Sequence, residues 1–243
     1  MRLEIDVGNT FVKWRWVSDG TITKALRCLK EPFLSRIADI DEPELVLDEL
    51  CDIWIGSVAG REFNEALTRA LKTRWDITPL FAVSASSAAG VRNSYIEPTR
   101  MGVDRWLAML AARHQDDGAS TVVDCGSAIT IDYLSAQGEH LGGYIVPGLQ
   151  MMRASLLNNT ANVRYDDEDL LSIEPGKHTG ACVNNGTRYL LQALAGQLLE
   201  EASNSGSQLY ITGGDGYLLQ AQMPGALLVP DLVLDGLMWA DKQ

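Results

Sequence analysis

Two short stretches carry the residue types that handle phosphates. Asp6-Val7-Gly8-Asn9-Thr10 and Asp124-Cys125-Gly126-Ser127-Ala128 both run Asp-x-Gly and then a small polar residue, and they stand close to half the chain apart. A tight turn built on glycine presents backbone N–H groups to phosphate oxygens, while a carboxylate at the end of the preceding strand can hold a hydrated Mg²⁺ against them. Asn9 and Thr10 add neutral donors, and Lys13 adds a point charge within reach of the same turn. The same residue types are ordinary turn formers, so either stretch alone also reads as a plain hairpin. A third glycine cluster, Thr212-Gly213-Gly214-Asp215-Gly216, directly follows a strand-like run.

Met101-Gly102-Val103-Asp104-Arg105-Trp106 opens a helical pattern. Asp104 there is either a structural cap favoured by the helix dipole or a carboxylate base. Its neighbour Arg105 suits the second reading, because a base beside a guanidinium fits a substrate with a hydroxyl and an anionic end, and arginine binds carboxylates bidentately. Tyr95 reads from pattern alone as half-buried packing. Thr179 reads as the N-cap of a long helix, and Asp166 to Asp169 as a solvated acidic loop. Trp14, Trp16 and Trp106 read as core or interface. The common signatures of phosphate-loop nucleotidases, dinucleotide-binding folds, zinc proteases and serine hydrolases are missing.

Composition narrows the classes further. The 243 residues carry 20 Lys and Arg against 32 Asp and Glu, a formal charge of −12, so no broad basic field exists for a nucleic acid backbone. Four scattered cysteines, with no Cys-x-x-Cys pair and only three histidines, argue against a zinc site or a disulfide framework. Carboxylates at Glu4 and Asp6 occupy the place where a signal peptide would need an apolar run. The most apolar late stretch, Ala226 to Ala240, is broken by Pro230, Asp231 and Asp235, short of the roughly 18 apolar residues of a membrane span. The expectation is a soluble cytoplasmic protein.

The elements that must position these residues follow from periodicity. Leu3, Ile5 and Val7 alternate with polar residues, as do Val12, Trp14 and Trp16 beyond the turn, which predicts a hairpin. Asp19-Gly20 turns into a third strand, Thr21 to Leu26. The pattern returns as Thr121 to Cys125, Ala128 to Leu134 and His140 to Val146. Asp52 to Val58, Glu62 to Arg74 and Leu80 to Val83 predict strand, helix and strand; Gln208 to Thr212, Asp215 to Gln222 and Ala226 to Val229 predict the same. Val103 to His114, apolar at Val103, Trp106, Leu107, Leu110 and Ala111, predicts a helix with one buried face, and Asp231 to Trp239 predicts its counterpart. Gly148 to Leu157 and Ala181 to Ala202 are helical as well. Each half therefore reads βββαβαβα in an α/β chain. The boundary falls in the polar stretch His114 to Ser120, giving halves 1–116 and 117–243.

Five motifs in this order, the two Asp-x-Gly turns, Gly102 to Arg105, Gly142-Gly143-Tyr144-Ile145-Val146-Pro147-Gly148 and Thr212 to Asp215, together resemble the type III pantothenate kinases, a family of the acetate and sugar kinase/Hsp70/actin superfamily. The resemblance runs from the first strand to the last helix. It implies a duplicated ribonuclease-H-like, actin-like fold with the active site in the cleft between the halves, and ATP-dependent phosphorylation of pantothenate to 4′-phosphopantothenate, the first step towards coenzyme A. It further implies that Asp6, Val7, Gly8, Asn9, Thr10 and Lys13 hold ATP phosphates and, through Asp6, Mg²⁺, that Ser127 contacts ATP, and that Asp124 binds K⁺ or NH₄⁺. Asp104 would be the general base. Tyr95, Gly102, Val103, Asp104, Arg105 and Thr179 would bind pantothenate, with Arg105 facing its carboxylate. The family often has Thr where Ser127 stands, which bears on ATP affinity more than on chemistry. Members are homodimers. Two other readings share the hairpins: a kinase of the same superfamily with another acceptor, and a non-catalytic ATP-binding switch, which would have no need of the Asp104-Arg105 pair.

Overall fold

The computed structural model describes residues 1–40, 49–159 and 172–243; the predicted acidic loop at Asp166 to Asp169 lies outside them. By internal contacts the chain forms two compact units. The first comprises residues 1–117, 137–140 and 231–243, and the second comprises 118–136 and 141–230.

In the first unit, β1 (Arg2–Val7) and β2 (Phe11–Ser18) form the predicted antiparallel hairpin. Asp19 and Gly20 both take positive φ (43° and 81°), the geometry a two-residue turn needs to match strand twist. The third strand departs from expectation. It is split into β3 (Thr21–Ile22) and β4 (Leu26–Leu29), which pair with opposite ends of β2. The cause is Thr23, whose hydroxyl accepts the Trp16 N–H at 3.0 Å and so takes a bond that a continuous ladder would have used. A short helix, α1 (Lys30–Arg36), follows, then β5 (Asp52–Ser57), α2 (Arg61–Trp75), β6 (Leu80–Phe81), the small hairpin β7 (Ser87–Ala88) and β8 (Val91–Arg92), and α3 (Val103–Gln115). The pattern did not predict α1 or the small hairpin.

In the second unit, β9 (Ser120–Cys125), β10 (Ala128–Leu134) and β11 (His140–Pro147) are the three predicted strands. Helices α4 (Leu149–Asn159) and α5 (Thr179–Ser205), then β12 (Gln208–Thr212), α6 (Gly216–Gln220) and β13 (Leu227–Leu228), complete it. The final helix, α7 (Leu232–Gly236), belongs to the first unit.

Both sheets have one plan. Their orders, β3-β2-β1-β5-β6 and β11-β10-β9-β12-β13, each run third, second, first, fourth, fifth. In each, the first strand is antiparallel to the second and parallel to the fourth, which is parallel to the fifth. This is the duplicated ribonuclease-H-like α/β fold. Each sheet buries its alternating apolar residues against helices: Leu3, Ile5, Val7 and Ile55 pack with Leu67 and Leu71 of α2, and Val123, Ile129, Ile131 and Ile211 with Leu191, Ala195 and Leu198 of α5.

Helix α3 is buried on nearly every side, not on the single predicted face, with Val103 and all residues from Arg105 to Ala112 enclosed. A helix enclosed all round must have partners beyond one sheet, and α7 is the partner the pattern could not supply. Gly236 is where they meet: a Cβ there would collide with the Leu107 backbone carbonyl of α3. Trp16 and Trp106 are core, as expected, and half-buried Trp14 packs against Phe33 at 5.5 Å between ring centroids. Gly236→Ala is expected to destabilise the protein by about 1–3 kcal/mol through overpacking, read as a lowered urea or thermal midpoint; an unchanged midpoint would contradict the close α3–α7 crossing.

Candidate active site

The first unit brings Tyr95 and residues 102–105, expected to meet the acceptor, together around the start of α3. Gly102 is its N-cap, with no side-chain cap, and Asp104 lies in the first turn. The Asp104 carboxylate turns back along the chain: its Oδ1 accepts the Arg105 N–H at 2.8 Å and would lie 2.6 Å from a Cβ built on Gly102. Any side chain at position 102 would therefore crowd the carboxylate. Arg105 is 5% exposed, and its Nη1 donates to the Tyr95 hydroxyl at 2.7 Å. Tyr95 is half-buried, as pattern suggested, yet its hydroxyl is a partner of the guanidinium and not simply packing.

The Tyr95 loop is fixed from below. Asn93 is buried; its Oδ1 accepts the Tyr95 N–H at 2.9 Å, and its Nδ2 donates to the carbonyls of Ala85 and Pro98. His140 stacks on Tyr95 at 6.2 Å and bonds Ser94 through Nδ1 at 2.9 Å. Sequence reading missed both residues. Asn93 looked like one more loop residue, and His140 lies in the segment 137–140, remote in sequence from the unit it joins.

The Asp6 to Thr10 turn belongs to the same unit. Gly8 closes it by donating its N–H to the Phe11 carbonyl at 2.9 Å, and Asn9 and Thr10 are exposed. Asp6, at the strand end, pairs across the hairpin with Lys13 and in parallel with Gly56. Gly56 has no Cβ to keep Leu107 of α3 away from β5, so the level of Asp6 and the first turns of α3 are packed together through β5. Lys13 Nζ lies 3.2 Å from Asp231 Oδ1. One register step further from the turn, Arg15 is held between Glu4 (2.7 Å) and Asp235 (2.6 Å). Burial alone would lower the Arg15 guanidinium, but Glu4 and Asp235 together raise it, so it stays charged.

In the second unit Gly126 and Gly213 lie against Asp124, and Gly148 lies against the adjoining Gly126–Ser127 backbone. Gly126 closes the β9–β10 turn by donating to the Ala128 carbonyl at 3.0 Å, and Gly148 donates to the Ser127 carbonyl at 3.0 Å. Gly213, at φ 89°, lies so close that a Cβ would strike the Asp124 carboxylate and the Cys125 carbonyl. Asp215 donates its N–H to that carbonyl at 2.9 Å. Burial pushes the Cys125 thiol far up, and the Asp124 and Asp215 carboxylates push it further, which makes it an inert neutral thiol marking two nearby acids. Asp215, Gly148 and Gly213 are thus part of a site that the sequence motifs contained but did not assign. Thr179 is also in this unit, exposed at the first position of α5. It is not the N-cap: His178 is, accepting the Ala181 N–H on Nδ1 at 3.4 Å, because the chain turns helical one residue earlier than read.

Among the described residues no three His, Cys, Asp or Glu side chains gather as a metal cage. A Mg²⁺ that travels with ATP needs no such cage, since one or two carboxylates and phosphate oxygens suffice, and Asp6 at its turn fits that use. Beside Gly213 the Asp124 carboxylate and the Cys125 carbonyl oxygen lie close together, oxygen atoms of the kind a hard cation takes as ligands.

Comparison with known proteins finds relatives over nearly the whole chain. A family model described as type III pantothenate kinase matches residues 2–201. The chain is 37% identical to the type III pantothenate kinase of Ectopseudomonas mendocina (strain ymp), over 98% of this chain and 97% of that one. It is 39% identical to that of Alcanivorax borkumensis, with 98% and 97% covered. Among solved structures, a conserved putative Baf family transcriptional activator from Campylobacter jejuni superposes with a TM-score of 0.60 at 21% identity, covering 97% of this chain and 95% of that one. The ethanolamine utilization protein EutJ from Carboxydothermus hydrogenoformans does so with 0.55 at 14% identity, covering 97% and 88%. These two speak for the fold alone.

Proposed function

The chain belongs to the type III pantothenate kinase family, and from that premise we propose how its own residues divide the work. The reaction is transfer of the terminal phosphoryl group of ATP to pantothenate, giving 4′-phosphopantothenate for coenzyme A biosynthesis. Phosphoryl transfer asks mainly for in-line positioning and charge neutralisation. Asp104 takes the proton from the primary hydroxyl as it attacks. The observation that carries this role is its carboxylate, oriented by the Arg105 N–H at 2.8 Å and adjoining the Cβ-less Gly102.

Arg105 receives the pantothenate carboxylate, with its guanidinium plane set by the Tyr95 hydroxyl. Gly102 and Val103 supply backbone, and Thr179 a hydroxyl, to the same substrate. The Asp6 to Thr10 turn and Lys13 take the ATP phosphates, and Ser127 contacts ATP. A divalent ion, when bound at Asp6, neutralises phosphate charge. Asp124 holds a monovalent cation, K⁺ or NH₄⁺, a reading supported by the close approach of the Asp124 carboxylate and the Cys125 carbonyl oxygen at Gly213.

The working form in this reading is a homodimer in the cytoplasm. Support for a second copy comes from β11, the edge strand of its sheet. Edge strands that stay unpaired are commonly protected by charge, but Leu141 to Pro147 contains no charged residue and exposes Leu141, Tyr144 and Ile145.

Three outcomes test these assignments. Asp104→Asn, folded by circular dichroism, is expected to lose about 10²–10⁴ in kcat, while Arg105→Met raises KM for pantothenate and leaves KM for ATP nearly unchanged; full activity in the folded Asn variant would remove the base role. Replacing K⁺ by Na⁺ is expected to raise KM for ATP, and identical kinetics in the two salts would count against Asp124 as a cation ligand. Sedimentation is expected to give a dimer for the wild type and a monomer for Ile145→Asp; a wild-type monomer would refute the β11 interface.

A further inference from the structure

Lys13 and Arg15 sit in two parallel rungs. On β1, Asp6 is the register partner of Lys13 and Glu4 that of Arg15, and cross-strand partners point to the same face. On the other side, α7 and its N-cap offer Asp231 to Lys13 and Asp235 to Arg15. The spacings match, because two residues on a strand cover about 6.6 Å and four on a helix about 6 Å. The Arg15 rung is closed: the guanidinium is 6% exposed and salt-bridged on both sides. The Lys13 rung is open, with Lys13 and Asp231 at 25% and 34% exposure, beside the Asp6 to Thr10 turn.

Asp231 has a second peculiarity. It is the N-cap residue of α7, where an aspartate ordinarily accepts a bond from its own helix, yet it makes no side-chain cap. Its carboxylate is directed to Lys13 instead. A lysine ammonium is a flexible point charge with three donors. Contact with a carboxylate restricts the lysine stem, an ammonium divides three donors among the oxygens around it, and a group ordered before its ligand arrives binds that ligand more tightly.

We propose that Asp231 is a positioning residue for ATP: it holds the Lys13 ammonium at the phosphate turn before nucleotide binds, and the closed Arg15–Asp235 rung sets α7 so that it can. The proposal rests on the reading of Lys13 as a phosphate contact. The opposite effect, a carboxylate that repels phosphate and occupies the lysine, has the opposite sign in experiment.

The test is a double-mutant cycle on the full-length enzyme. Asp231→Asn and Asp231→Ser both keep a residue suited to a helix N-cap, so the fold can be verified for each by thermal melting. Either variant is expected to raise KM for ATP about 3–10-fold, the scale of one modest ion-pair contact, with KM for pantothenate within twofold. In a Lys13→Gln background the same substitution is expected to add nothing. Unchanged or lowered KM for ATP in Asp231→Asn overturns the proposal, and so does an additive effect in the Lys13→Gln background. If Lys13→Gln alone leaves KM for ATP unchanged, the phosphate role of Lys13 is what falls, and the positioning role falls with it.

Discussion

The Arg15 guanidinium on β2 donates to Glu4 of β1 at 2.7 Å and to Asp235 of α7, 220 residues away in sequence, at 2.6 Å. The Arg15–Glu4 pair is buried; such a pair gains little net stability over apolar residues of the same volume, whereas removing one partner of a buried pair costs about 3–5 kcal/mol. What such a triad contributes is register. An apolar contact would let a five-residue helix slide or rotate by a fraction of a turn with little penalty. A guanidinium shared by two carboxylates has one geometry. With α7 fixed, Gly236 meets the Leu107 backbone, α3 is enclosed, and Asp104 and Arg105 at its first turn acquire a defined place relative to β1 and the phosphate turn.

The duplicated plan explains why two unequal chemistries grow on one topology. In each sheet the first strand ends at a glycine turn beside a parallel fourth strand, and ligands of open α/β sheets gather at the carboxyl ends of such strands. In the first unit the neighbouring elements bring cations, Lys13 and Arg105. In the second they bring acids, Asp124 and Asp215, around Gly213. The same glycine turn thus carries different neighbours in the two units, cationic in the first and acidic in the second.

Much of the architecture was legible because it depends on short-range periodicity. The alternation of Leu3, Ile5 and Val7, the Asp19-Gly20 turn and the repeated three-strand opening state local preferences that packing then respects. The failures share a different cause. The third strand split because one hydroxyl, Thr23, competed for a backbone donor. Helix α3 showed only one apolar stripe by pattern, since its second covering element lies more than a hundred residues downstream. His140 under Tyr95, and Asp231 beside Lys13, are likewise tertiary partners with no local signature. For the site, the Asp-x-Gly turns and the Asp104-Arg105 pair were visible as residue types, whereas the groups that orient them were not.

An enzyme with a formal charge of −12 that must gather two anionic substrates cannot rely on its overall field, which repels both. Recognition then falls to a few cations whose directions are fixed, and lysine and arginine meet that demand differently. Arg105 carries five donors in a plane, and a phenol hydroxyl on Nη1 is enough to set that plane for a bidentate carboxylate. Lys13 has no plane to set. Its charge is a point to be placed, and the Asp231 carboxylate 3.2 Å away is one group that places it. A planar fork needs its orientation set and a point charge needs its position set, so the two side chains make different demands on their surroundings.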